Sequence, residues 1–289
     1  MKPAPSWDVE GRDWPNRAAS SFVRAGGLMW HVQIAGDGPA VVLIHGTGAG
    51  THTWRGLLPL LAQSCKVVAM DLPGHAFTEK PERSHLALPH MAKAVSSLLA
   101  EIGVKPRHMV GHSAGAAVAL RMTLDGAVAP ERIVSLNGAF RPFNGLAAIL
   151  FPVMARLLAL NPFAAPFLAW RASTPSAVSR LIAGTGSVLD AAATDYYARL
   201  LRTERHVAAT LAMMAYWDLT PLLRDLRKLK STLVLVANAN DRAVPPREAG
   251  MTARLVEDSR VVKLEWGGHL AHEEKPAFFS DLLVRELAL

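Results

Sequence analysis

The stretch "HMVGHSAGAAVAL" sets Ser113 between Gly111 and Gly115, where an apolar strand-like run gives way to a helical pattern. A serine in G-x-S-x-G at such a junction is a candidate nucleophile, because the sharp turn presents its hydroxyl above the sheet. The alternative is a glycine-rich turn with an idle serine. A hydroxyl is a weak nucleophile until a base takes its proton and an acid orients that base. His269 in "WGGHLAHEEKP" follows the last strand-like run and is the expected base, with His272 as its competitor. Asp241 in "LVLVANANDRAVPP" follows the preceding run and is the expected acid, although "NDR" also reads as an ordinary surface turn. A second place for the acid, after the strand that follows Ser113, is occupied by "SLNGA", and Asn137 there carries no charge.

The remaining chemical element is "HGTGAG", residues 45–50, directly after the run "AVVLI". Its glycines let backbone N–H groups approach a reacting oxygen, so the N–H groups of Thr47 and Ala114 are the expected oxyanion hole, with Gly48 as a substitute for Thr47. No lysine follows these glycines, which excludes a phosphate-cradling P-loop.

These residues need elements to hold them. "SSFVRAG" and "LMWHVQIAG" read as a hairpin around Gly26 and Gly27. The runs "AVVLIHG", "CKVVAMDL", "RHMVGHS", "RIVSLNG", "TLVLVAN" and "RVVKLEW" read as strands buried on both faces. Helical patterns lie between most of them, namely "LPHMAKAVSSLLAEIG", "SAGAAVALRMTLDG", "PREAGMTARLVED" and "PAFFSDLLVREL". The alternation predicts an α/β fold with a mostly parallel twisted sheet and helices on both faces. From 140 to 224 no strand-like run occurs, only helical patterns broken by prolines, which predicts an inserted helical lid. The expected division is 1–139 and 225–289 as two parts of one core, with 140–224 as the lid.

Composition narrows the function classes. With 51% hydrophobic and 19% charged residues over 289 positions, the chain can bury a large core without disulfides or metals. One cysteine, Cys65, fits a reducing compartment. The first residues lack an apolar stretch of signal-peptide type, so a cytoplasmic location is expected. The net charge of +7 comes from scattered lysines and arginines, which argues against nucleic acid and leaves contact with an anionic membrane open. No Cys/His cluster suggests a metal, and no cofactor is expected.

"HGTGAG", "DLPGHAFT", "GHSAG", "NDRAVPP" and "GGHLAHEEKP" occur in the order found in the α/β-hydrolase superfamily, which the chain resembles over essentially its whole length. The resemblance implies the α/β-hydrolase fold, with a sheet of about eight strands. "WPNR", "HGTGAGTHTWR", "SLNGAFRPFNG", "RLIAGTGSVLD" and "MMAYWDL" further resemble the magnesium-chelatase accessory hydrolases of bacteriochlorophyll synthesis. Ala76 in "GHAFT" replaces a glycine common in the superfamily. The closer resemblance implies work at or near magnesium insertion, on or with a porphyrin, with magnesium chelatase as a candidate partner; separately, the apolar lid and the positive charge leave peripheral contact with the photosynthetic membrane open. Phe143, Phe151, Met213 and Trp217 are the expected substrate-binding residues, because the lid segments that hold them are dense in apolar side chains. A porphyrin-binding accessory role and a general carboxylesterase remain the alternatives.

Overall fold

The computed structural model describes residues 4–141, 161, 163–171 and 174–289. Among them, β1 (Ser20–Ala25) and β2 (Leu28–Ala35) form the expected antiparallel hairpin. Gly26 and Gly27 make its two-residue turn at φ 56° and 81°, a left-handed pair that glycine adopts without strain. The strands β3 (Ala40–Ile44), β4 (Lys66–Met70), β5 (His108–His112), β6 (Arg132–Leu136), β7 (Thr232–Asn238) and β8 (Ser259–Leu264) complete an eight-stranded sheet. Its order is β1-β2-β4-β3-β5-β6-β7-β8, and every pair from β4 onward is parallel.

Alternation along the strands sends side chains to two separate cores. Val42, Ile44, Val68, Met70 and Met109 face one side, where they meet α2 (Leu88–Glu101) and α3 (Ala114–Leu124). Val41, Leu43, Val67, Ala69 and Val110 face the other, against α1 (Leu57–Leu61) and the C-terminal helix, whose Phe279, Leu282 and Leu283 are buried. Both faces are therefore covered, as the unbroken apolar runs require. β8 departs from that expectation: it is a sheet edge, and its residues are only half-buried or exposed.

Helices α4 (Ala164–Arg171), α5 (Pro175–Gly184), α6 (Ala191–Leu201), α7 (Glu204–Ala215) and α8 (Thr220–Asp225) lie between β6 and β7. After β7 come α9 (Arg247–Ala253), α10 (Ala271–Glu274) and α11 (Pro276–Leu287). Asp190 caps α6 by accepting from Ala193 N at 2.7 Å. The inserted helices pack on the ends of the strands: Val178, Ile182, Tyr197 and Ala198 bury Ala49 and Leu270. The leader joins them, with Trp14 buried against Phe77 and Leu200 and its indole N–H donating to Thr51 Oγ1 at 2.9 Å. Among the described residues no helix is long and apolar enough to cross a membrane.

Histidines fill much of the seam between insertion and core. His206 of α7 donates from Nε2 to Gly48 O at 3.1 Å and accepts at Nδ1 from Ala76 N at 3.0 Å. His45, His52, His75 and His206 are wholly enclosed, and burial holds each imidazole below its ordinary value, His206 at about 4. The unfolded chain takes up protons as pH falls through 6.5, whereas folded His206 refuses one until about 4. Its contribution to stability is therefore complete above the first value and is lost toward the second. Urea unfolding between pH 7.5 and pH 4.5 should show a falling midpoint. In His206→Gln the decline should be shallower by up to about 1 kcal/mol per pH unit; parallel curves for the two proteins would contradict this.

Candidate active site

The site gathers at the carboxyl ends of β3, β5, β7 and β8, four of the five consecutive parallel strands from β3 to β8 in the sheet, with β6 between β5 and β7. The 45–50 loop leaves β3, Ser113 follows β5, Asp241 lies beyond β7 and His269 beyond β8. Such ends, at the crevice above an open parallel sheet, are where α/β folds assemble ligand sites.

Ser113 sits at φ 52° and ψ −120°, a conformation unfavourable to any side-chain-bearing residue. Its N–H donates to Leu136 O at 3.0 Å and its carbonyl accepts from Ala139 N at 3.2 Å, so strand pairing holds the turn from both sides. Glycines make the turn possible by close approach. A Cβ at Gly111 would run into the backbone of Ala116, and one at Gly115 into the carbonyl of Ile44. Helix α3 begins at once, with small residues at 114–117 pressed against β3 and β5.

The N–H groups of Thr47 and Ala114 donate to no other group among the described residues. Ala114 opens α3, so its N–H belongs to the positive end of that helix. The 45–50 loop runs beside Ser113: a Cβ at Gly46 would stand 3.0 Å from Ser113 Cβ. His45 fixes the loop by donating from Nδ1 to Gly46 O at 2.7 Å and accepting at Nε2 from Leu72 N at 2.9 Å. Those two bonds require a neutral ring, in keeping with its lowered pKa.

His269 donates from Nδ1 to Asp241 Oδ2 at 2.8 Å. The same carboxylate oxygen accepts from Asn137 Nδ2, while Oδ1 accepts from Ala243 N and Val244 N, each at 2.8 Å. Asp241 is buried, and both of its carboxylate oxygens find donors within the protein. His272 is turned away toward Thr53 Oγ1, 2.9 Å from Nε2, and burial beside His269 lowers it to about 3. The structure thus pairs His269, not its competitor, with the acid. His112, next to Ser113 in sequence, donates from Nε2 to His269 O at 2.9 Å. Burial and the neighbouring His272 hold it neutral, well below the usual imidazole value.

Of the expected substrate-binding residues, Met213 is buried and its Sδ accepts from Thr47 Oγ1 at 3.5 Å, so it abuts the 45–50 loop. Trp217 is partly buried against the core, and its enclosed indole N–H has no partner among the described residues. Phe143 and Phe151 lie outside the described residues. Among the described residues no group of three or more His, Cys, Asp or Glu side chains is arranged to hold a metal ion.

Sequence reasoning passed over Asn137 because it lacks charge, yet it holds Asp241 as a donor. Its φ of 51° carries a signal, since asparagine tolerates that region better than most residues and stands here at a strand end. Thr185 and Ser187 lie within the stretch "RLIAGTGSVLD", but nothing local in the sequence tied them, or His112, to the His269 loop that they touch.

A family model described as alpha/beta hydrolase fold matches residues 39–276. Over 263 residues the chain is 38% identical to a protein named magnesium-chelatase 30 kDa subunit from Rhodobacter capsulatus, covering 90% of this chain and 92% of that one. Among solved structures it is similar to an epoxide hydrolase, with a TM-score of 0.78 at 22% identity, covering 93% of this chain and 98% of that one. It is also similar to a serine hydrolase involved in carbazole degradation, with a TM-score of 0.75 at 22% identity and the same coverage. Both likenesses concern the fold alone. Sheet, loops and family model agree, and the chain belongs to the α/β-hydrolase family.

Proposed function

We propose that the protein is a serine hydrolase of bacteriochlorophyll synthesis that acts at or near magnesium insertion, on a porphyrin or a molecule attached to one. The hydrolase reading is carried by the His269–Asp241 hydrogen bond, together with a serine at a strained strand-to-helix turn two strands away in the sheet. The place in metabolism rests on the similarity to the Rhodobacter capsulatus protein and the name it bears.

In this reading Ser113 Oγ attacks the carbonyl carbon of an ester or amide while His269 Nε2 takes the hydroxyl proton. Asp241 keeps the other imidazole nitrogen protonated and stabilises the imidazolium that forms. The N–H groups of Thr47 and Ala114 bind the oxyanion, each such donor being worth about 10²–10³ in turnover in serine hydrolases. His269 returns the proton to the leaving group, then activates a water that releases the acyl group and regenerates Ser113. The helices between β6 and β7 act as a lid, with Met213 and Trp217 bordering the substrate.

One observation favours a second reading. No hydrogen bond joins Ser113 to His269 among the described residues. Resting hydrolases commonly tighten that contact only with substrate bound, but a porphyrin-binding accessory of magnesium chelatase would not need it.

Titration of wild type and Ser113→Ala with protoporphyrin and its magnesium form, followed by absorbance and by mass spectrometry of products, separates the readings. Binding by both proteins with a product from wild type alone is the expected result. Binding without product favours the accessory role, and no binding by either leaves a general carboxylesterase. On p-nitrophenyl acetate, Ser113→Ala and His269→Ala should each lose at least about a thousandfold in kcat/KM, and unchanged rates would remove the triad.

The location we propose is cytoplasmic, with peripheral contact at the membrane. Phe163, Phe167, Trp170 and Leu181 of the insertion are exposed, and Arg171 and Arg180 stand exposed among them. Aromatic and basic groups together suit an anionic lipid surface. Flotation with liposomes containing anionic lipid should carry the protein upward, and Trp170→Ser should reduce the floating fraction. A protein left wholly at the bottom at low salt would contradict the contact.

A further inference from the structure

The turn Thr185–Gly186–Ser187, which ends α5, touches both loops that carry the acid and the base. Thr185 O accepts from Arg242 N, the residue after Asp241, and from His269 N itself, each at 3.2 Å. Ser187 Oγ accepts from Leu270 N, the residue after His269, at 2.8 Å. Gly186 has φ 83°, and a Cβ there would run into Asn240 O; one at Gly268 would run into the Gly186 backbone. Apart from the Ser187 hydroxyl these are backbone-to-backbone contacts, which leave far less play than contacts between side chains.

Two further bonds reach the segment after His269. Val188 N donates to Glu274 Oε1 at 3.2 Å, and Tyr197 OH of α6 donates to Glu273 Oε1 at 2.5 Å. Glu273 is buried and also bonded to Thr53 Oγ1 at 2.7 Å and paired with Arg55. The acid and base loops touch each other directly as well, through Asn240 N to Gly267 O at 3.0 Å. One carbonyl of the insertion therefore bridges residues that lie 27 positions apart in the core, 242 and 269.

We propose that Thr185–Ser187 is a positioning element for the proposed triad: it fixes the spacing of the Asp241 and His269 loops, so that this part of the insertion belongs to the catalytic framework rather than to a moving cover. The inference rests on the hydrolase reading above. Ser187 contributes through Leu270 N, Thr185 through its carbonyl, and Gly186 by permitting the close approach. Motion that admits substrate is then carried by other parts of the insertion.

The test compares wild type, Ser187→Ala and Ser187→Cys, whose thiol keeps the volume but accepts a hydrogen bond poorly. The first readout is the rate at which a fluorophosphonate modifies Ser113. The second is the far-downfield proton resonance of His269 Nδ1–H in its bond to Asp241. A displaced base typically reduces rates by about ten- to a hundredfold, and both variants should fall in that range with the resonance shifted or broadened. If Ser187→Ala does not fold, Ser187→Cys carries the comparison. Variants that match wild type in rate and resonance would overturn the proposal, and so would a slower rate with an unchanged resonance. A wild type inert to the fluorophosphonate would defeat the hydrolase reading instead. The resonance alone then decides, a change on substitution supporting the brace and constancy overturning it.

Discussion

A serine backbone held at φ 52° is a conformation that the chain does not adopt without help. Strain of this kind amounts to about 1–3 kcal/mol, and it persists only where surroundings leave no alternative. Here the surroundings are β5 and β6 on one side and the first turn of α3 on the other. Gly111 and Gly115 let α3 come down onto β3 and β5, and the small residues that follow keep it there. Relaxing the turn would pull the helix off the sheet and open the larger of the two cores. The strain at Ser113 is thus underwritten by hydrophobic burial far larger than itself.

The same turn determines what its neighbours must do. Directly after Ser113 the N–H of Ala114 opens α3, and the 45–50 loop runs beside the turn. Asp241 and His269 come in from the adjacent strand ends, already bonded to each other. Asp241 accepts from Asn137, Ala243 and Val244 as well as from His269, so both of its buried carboxylate oxygens are hydrogen-bonded within the protein. At the seam His206 of the insertion and His45 of the core loop are each held in one tautomer by backbone partners. A shell of fixed, uncharged donors and acceptors suits chemistry in which charge develops only in the transition state.

Much of this was legible in the sequence because it is local. Strand-helix alternation follows from apolar runs of five to eight residues, and the eight strands and their parallel pairing agree with it. The strand-to-helix setting of "GHSAG" foretold the backbone turn at Ser113, whose glycines have the steric reasons expected of them. What stayed hidden is long-range. Asn137 and Asp241 are 104 residues apart, and Ser187 and Leu270 are 83 apart, so no window of sequence contains either pair. The first 17 residues show no apolar run, yet Trp14 packs into the seam with Trp7 against it, since two tryptophans among charges and prolines carry no periodicity. β8 looked like a buried strand, and only the sheet order revealed it as an edge.

The central claim is that Ser113 is activated by His269 and Asp241. Peptide mapping by mass spectrometry after brief exposure to a fluorophosphonate tests it most directly, because the reagent requires an activated hydroxyl and reports which one reacted. The account predicts a single adduct on the peptide containing Ser113, abolished in His269→Ala and strongly slowed in Asp241→Asn. An unmodified protein, or an adduct on any other residue, would contradict it.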